Sequence, residues 1–319
     1  YTSCLYRASF GGKLDIVQDV IEKGADINAT RGQLYNALQA AACKGNIKIV
    51  KLLVEKGAKV DSQGGYYGDV IQVAADGKSL ETVKRFQENG GFYGNALQAA
   101  ASGGEFEIVK FLVEQDANVN ARGGYYGNAL QAAACHGKLE IVKLLIEKGA
   151  DVNVQGGYYS NALHAAAFTG QLEIVKSLIE KGADINAPGK GNALQGAAYR
   201  GQLEIVKFLV KKGTDVNTQG GENGNALQAA ASRGNLEIVR FLVEKDADVN
   251  AQGGHYGNAL QAAANSGNLE IVKFLVEKGA DVNAQGGCHC NALQAAAMTG
   301  KLDIVKFLVE EGANFNAQG

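Results

Sequence analysis

The chain has 319 residues, with 31 basic and 33 acidic side chains and a formal net charge of −2. Balanced, interspersed charge argues against a nucleic-acid partner. No apolar run reaches the ~20 residues of a membrane span, and five irregularly placed cysteines fit a reducing compartment, so a cytoplasmic protein with no membrane contact is expected.

From its first residues the chain repeats itself. With the Asn of each Asn-Ala-Leu step as origin, copies start at Ser3, Asn36, Asp69, Asn95, Asn128, Asn161, Asn192, Asn225, Asn258 and Asn291. The spacing is 33 residues except after Asp69 (26) and Asn161 (31). A fixed period of this size marks a stacked solenoid, in which each unit buries its apolar face against its neighbours.

The copy running from Gly127 to Gly157 gives the elements of one unit. Asn128 is an N-cap, and Gln131 three residues on is placed to close a capping box. The first helix is then almost entirely alanine, which lets neighbouring helices approach closely. The alanine five past the origin occurs in all ten units, from Ala8 through Ala133 to Ala296. Gly137 breaks that helix and a second begins near Leu139. Its Ile141, Val142, Leu145 and Ile146 form an apolar stripe, while Lys143 and Glu147 lie on the solvated side. The valine fourteen past the origin also occurs ten times, from Val17 to Val305. Gly149 stops the second helix as a left-handed cap. An extended arm with a Gly-Gly turn leads to the next origin.

The exceptions follow in chain order. The unit at Ser3 is the most polar, with Arg7, Gln18 and Asp19. The unit at Asp69 reads Asp69-Val70-Ile71 at its opening, carries Lys78 at the helix-breaking Gly position, and lacks seven arm residues between Gly90 and Gly91. An irregular junction is therefore expected near 88–94. A shortened link near 187–191 contains Pro188, the single proline, which stiffens it. There is no initiator Met, and the sequence stops within a unit at Ala317-Gln318-Gly319. A single array, 1–319, belonging to a longer protein is the expected organisation.

The run Gly-x-Leu-Glu-Ile-Val-Lys-x-Leu-Ile-Glu-Lys-Gly-Ala-Asp-Val-Asn resembles the ankyrin repeat, and the resemblance covers all ten units. It implies an all-α ankyrin-repeat solenoid: a helix-turn-helix plus an extended arm in each unit, about ten units stacked. The opening departs from the family, reading Asn-Ala-Leu-Gln where Thr-Pro-Leu-His is usual; only His164 keeps the His. In this respect the chain resembles the ankyrin arrays of fungal proteins, many attached to nucleotide-binding immune-type receptors.

Comparison between units locates the variable positions. One set lies seven and eight past the origin and includes His136, Phe168, Tyr199, Arg200 and Arg233. The other lies three and two before it and includes Tyr125, Tyr126, Tyr158, Tyr159, Lys190, Glu222, Asn223, His255 and Tyr256. In the architecture the resemblance implies, both sets face one concave groove. Eight of the twelve tyrosines occupy the second set, where folding alone does not require them. Tyrosine and arginine suit protein recognition, so these fourteen residues are the candidate partner-binding surface. Mutual stacking of the arm aromatics is the alternative use of the row. The Phe row of the second helices, Phe111, Phe208, Phe241, Phe274 and Phe307, reads as packing between units.

No catalytic constellation is found. Gly77-Lys78-Ser79 ends like a phosphate loop, but Gln72 stands where that motif needs Gly. The histidines His136, His164, His255 and His289 fall in separate units, away from any recurring nucleophile. Cys288-His289-Cys290 offers soft ligands, but alternating residues of an arm point apart and only one unit carries them, so no metal and no cofactor are assigned. The expectation is a non-enzymatic scaffold that binds another protein as the recognition or regulatory arm of a larger intracellular, fungal-type protein. Its rivals are a small-molecule or glycan receptor using the tyrosine ladder, and a mechanical spacer.

Overall fold

A computed structural model describes residues 2–29, 36–62, 95–189 and 191–315. Among these residues lie eighteen α-helices in nine pairs. The pairs are α1 (Thr2–Phe10) with α2 (Leu14–Glu22), α3 (Ala37–Cys43) with α4 (Ile47–Glu55), α5 (Ala96–Gly103) with α6 (Phe106–Glu114), and α7 (Ala129–Cys135) with α8 (Leu139–Glu147). They continue with α9 (Ala162–Thr169) and α10 (Leu172–Glu180), α11 (Ala193–Arg200) and α12 (Leu203–Lys211), and α13 (Ala226–Ser232) and α14 (Leu236–Glu244). The last are α15 (Ala259–Ser266) with α16 (Leu269–Glu277), and α17 (Ala292–Met298) with α18 (Leu302–Glu310). The only β pairing among the described residues is two isolated bridges, Gly123 with Gly127 and Gly253 with Gly257. The architecture is the all-α repeat solenoid that the period implies.

The first helices that follow an Asn origin begin at the next residue, from Ala37 to Ala292. The side chains of Asn36, Asn95, Asn128, Asn192, Asn225, Asn258 and Asn291 all accept from the amide three residues on. Such a cap is worth about 1 kcal/mol. The reciprocal half of the box forms at Asn36, Asn192 and Asn225. It does not form at Asn128, where Gln131 Oε1 accepts no bond and its Nε2 donates to the Gly156 carbonyl of the following arm at 2.8 Å, as the glutamines of the closed boxes also donate to the next arm. The cap backbone separates the two cases. φ is −81°, −90° and −105° where the box closes, and −144°, −153°, −143° and −149° at Asn95, Asn128, Asn258 and Asn291, where it stays open. The open caps are those with an aromatic residue or histidine two positions earlier: Tyr93, Tyr126, Tyr256 and His289.

The helices pack by size. The fifth-position alanines Ala41, Ala100, Ala133, Ala166, Ala197, Ala230, Ala263 and Ala296 are completely buried, and a larger side chain there costs about 1–3 kcal/mol. On α8, Ile141, Val142 and Leu145 are buried, whereas Lys143 is exposed and pairs at 2.9 Å with Glu140, three residues back, rather than with Glu147. Gly137 and Gly149 have φ of 71° and 88°, the left-handed backbone glycine adopts without penalty. The same conformation is imposed on Asp116 and Asp246 at the Gly149-type position, and on Ser160 and Cys290 at the Gly127-type position. The phenylalanine row is packing: Arg240 lies over Phe274 at 4.6 Å and Lys273 over Phe307 at 5.9 Å, each reaching from one repeat to the next.

The chain divides into two compact bodies, Tyr1–Ala162 with Glu180–Gly182, and Leu163–Ile179 with Ala183–Gly319. Both use one tie between successive repeats. In the first body, Asn120 donates to the Gly149 carbonyl (3.0 Å) and accepts from the Asp151 amide (2.9 Å). In the second, Asn250 does the same with Gly279 (2.9 Å) and Asp281 (2.8 Å). This asparagine closes the Ala-Asp-x-Asn step of the repeat, which reads Ala117-Asn118-Val119-Asn120 in the first case.

The repeat that begins at Asp69, with the junction near 88–94, lies outside the described residues. On either side of it, the repeats that begin at Asn36 and Asn95 meet directly. Helix α3 packs on α5 as neighbouring first helices do elsewhere. Asp61 accepts from the Asn118 amide at 3.0 Å, the bond that Asn120 makes to Asp151. Lys51 covers Phe111 at 5.7 Å, matching Arg240 on Phe274.

Candidate binding surfaces

The first body brings arm and helix-end residues together. Gly123 donates to the Gly127 carbonyl at 2.9 Å, closing the arm turn, and the Tyr158 amide donates to the Tyr125 carbonyl at 2.8 Å, joining one arm to the next. That register stacks Tyr125 on Tyr158 (centroids 4.7 Å, planes 16° apart) and sets Tyr126 edge-on to Tyr125 at 5.2 Å. Tyr159 stands edge-on to Tyr158 at 5.0 Å. A Cβ at Gly157 would strike the Tyr126 carbonyl, so glycine is what permits the arms to approach.

His136 links this arm to the helix behind it. Its Nδ1 lies 2.9 Å from the Ala132 carbonyl and 3.3 Å from Ser102 Oγ, and its Nε2 lies 3.3 Å from the Tyr126 hydroxyl. A carbonyl only accepts, so Nδ1 carries the proton and Nε2 accepts from Tyr126. Partial desolvation lowers the His136 pKa, with Lys138 adding to the shift and the bond to the Ala132 carbonyl opposing it. Burial also pushes the Cys135 thiol up to about 11, so it is not an ionised nucleophile at neutral pH. The phenols of Tyr125 and Tyr159 are raised far above their ordinary value, first by burial, then by Tyr158 and Cys135 respectively. The result is an uncharged cluster of rings and hydrogen-bonding groups. Tyr126 is buried, Tyr125 and Tyr159 are half-buried, and Tyr158 is exposed.

The second body carries a different cluster at its helix ends. Phe168 and Tyr199 stack at 6.1 Å and 19°. The Arg200 guanidinium lies 5.0 Å over Phe168, and that of Arg233 lies 4.1 Å over Tyr199. Arg233 Nη2 also donates to the Tyr199 hydroxyl. His164 is buried with its ring edge-on to Phe168 at 6.1 Å. It fits because Gly196 replaces the usual alanine on α11, where a Cβ would come within 2.6 Å of the His164 ring. Beside Arg233 an open cleft of about 540 Å³ is lined by Ser232, Ser266, Asn268 and Glu270 among others.

In the first body the arm meets the helix end through Tyr126 with His136 and Tyr159 with Cys135. In the second body Glu222, Asn223, His255 and Tyr256 form their own arm row: the His255 amide donates to the Glu222 carbonyl at 2.7 Å and His255 lies edge-on to Tyr256 at 5.0 Å. No hydrogen bond or ring contact joins that row to Tyr199, Arg200 or Arg233 among the described residues. Lys190 lies outside the described residues. Cys135, one of the variable residues seven past the origin, and Ser102 join the first cluster although neither is among the fourteen candidates. Cys135 sits at the seven-past position, one residue before His136, and was readable there. Cys288 is exposed and Cys290 half-buried, and no group of three metal-ligating side chains occurs among the described residues.

A family model described as ankyrin repeats (3 copies) matches residues 5–90, 70–156, 127–189, 155–220, 194–286 and 255–319. No curated protein matches the chain.

Proposed function

This chain belongs to the ankyrin-repeat family, whose repeats are generally protein–protein interaction modules, and on that premise we propose that it is a scaffold gripping another protein through its helix ends and arms. One observation carries the reading: the rings and guanidinium groups of the two clusters stand at positions that differ between repeats, most of them partly or fully exposed, while the buried alanines and valines of the helices stay constant. Rigid aromatic side chains supply contact area at low entropic cost, and Arg is enriched with them among the residues that dominate interface energies. The role is binding without catalysis, in the cytoplasm, as the recognition or regulatory arm within an array type known from fungal immune-type receptors. The array acts as one scaffold despite its irregular spacings near 88–94 and 187–191.

The test is to isolate a stoichiometric partner on the immobilised chain and then compare variants. Tyr158→Ala and Arg200→Ala are expected to weaken capture by about 1–3 kcal/mol each, with melting temperatures unchanged. Lys143→Ala and Lys176→Ala, on the second helices, should leave capture intact. Weakening by the lysine changes alone would place the interface elsewhere and overturn the proposal.

A further inference from the structure

One placement recurs in both bodies. An aromatic ring seven past one origin is covered by the cation eight past the next: Lys44 over Phe10 at 4.5 Å in the first body, Arg200 over Phe168 and Arg233 over Tyr199 in the second. In the second body the two instances are consecutive and both arginines are exposed. Neither Arg200 nor Arg233 has a carboxylate within ion-pairing distance among the described residues. The lysines of the neighbouring second helices differ: Lys176 and Lys207 are held by Glu173 and Glu204 at 2.6 and 2.8 Å.

A guanidinium held over a ring is restrained in position, and those of its N–H groups that bond no other side chain remain donors, able to take a carboxylate through two parallel hydrogen bonds. Arg233 spends one donor on the Tyr199 hydroxyl and keeps the others of its five. Packed helices stand about 8–10 Å apart. An extended polyproline-II chain returns its side chains to one face every third residue, after about 9 Å. We infer that Arg200 and Arg233 together hold an extended acidic segment of the protein partner, with Asp or Glu side chains three residues apart, one on each guanidinium. Glu270, on the wall of the cleft beside Arg233, repels a further carboxylate and ends the acidic run there. This inference rests on the reading of the chain as a protein-binding scaffold.

The experiment pans a random twelve-residue peptide library on the full chain, on R200Q/R233Q, and on Lys207→Gln as a second-helix control, with helical content and melting temperature checked for each. Wild type and the Lys207 control should select peptides with acidic residues at positions i and i+3. A selected peptide should bind R200Q/R233Q at least roughly tenfold more weakly and lose most of its salt dependence. A neutral or basic consensus, no enrichment, or an acidic consensus kept by R200Q/R233Q would overturn the inference. So would tighter binding of an oligothymidylate probe through the same arginines, which would assign the pair to phosphate. Each of these outcomes leaves the partner-capture test above to stand or fall on its own.

Discussion

Tyr125 and Tyr159 illustrate how a side chain's chemistry is set by what surrounds it. Both phenols lie among other rings, and removing water disfavours the phenolate more than the phenol. Their pKa values in the fold are raised well above the value of about 10 expected in an unfolded chain. The linkage sign follows: below pH 10 both states keep the proton and the contribution to stability is complete, and as pH rises past 10 the unfolded chain ionises first and the contribution is lost. In an absorbance titration at 295 nm, Tyr125→Phe and Tyr159→Phe should each remove one phenolate from the late step that accompanies unfolding. Any earlier step should keep its amplitude. If the loss comes from the earlier step, these phenols are solvated and the cluster is not as described.

At the scale of the element, the repeat is held by ties that its periodicity hides. Asn250 offers an oxygen to the Asp281 amide and a nitrogen to the Gly279 carbonyl, with separations of 31 and 29 residues. Both bonds lie at an exposed edge, so each is worth about 0.5–1.5 kcal/mol. Asn250→Ala should therefore lower the unfolding free energy by about 1–2 kcal/mol in urea. Gln252→Ala, whose amide reaches only the Asn250 carbonyl at 3.4 Å, should change it by less than about 0.5 kcal/mol. Equal effects would mean that the asparagine tie carries no stability. Sequence reading found the caps, the breaker glycines and the buried stripe, because each is a local rule acting over three or four residues. It passed over this asparagine, because a residue repeated in every unit gives no sign of whether its partner is its own unit or the next. Gln131 was misassigned for a related reason. The four-residue motif is the same in open and closed boxes, and the choice lies in a cap φ that differs with the arm before it.

At the scale of the whole chain, ten origins and their spacings were readable because the period is fixed, and the nine described helix pairs match them. Which surface residues meet was readable in the first body, where Tyr126 reaches His136, and not in the second, where the arm row and the helix ends form separate groups within one body. The way one repeat succeeds another was not fully readable, because sequence order implied that the repeat at Asp69 stands between its neighbours. The contacts of Asp61 with Asn118 and Lys51 with Phe111 show neighbours already in register across it. The spacing explains how. Asn36 and Asn95 are 59 residues apart, which is 33 plus 26. Removing residues 69–94 takes out those 26 residues and joins Gln63-Gly64-Gly65-Tyr66-Tyr67-Gly68 to Asn95. That sequence is the same arm, of the same length, as Arg122-Gly123-Gly124-Tyr125-Tyr126-Gly127 before Asn128. The shortened chain should keep a cooperative thermal transition within about 3 °C of the parent, a shift equivalent to about 1 kcal/mol in a large domain. It should also keep hydrogen-exchange protection on α3 and α5, since their shared face is unchanged. Because each repeat in a solenoid is stabilised by its immediate neighbours, a chain in which the deleted residues were a true intervening layer would lose two interfaces and gain a mismatched one. A lost transition, or α3 opening ahead of the rest, would show that residues 69–94 belong to the stack.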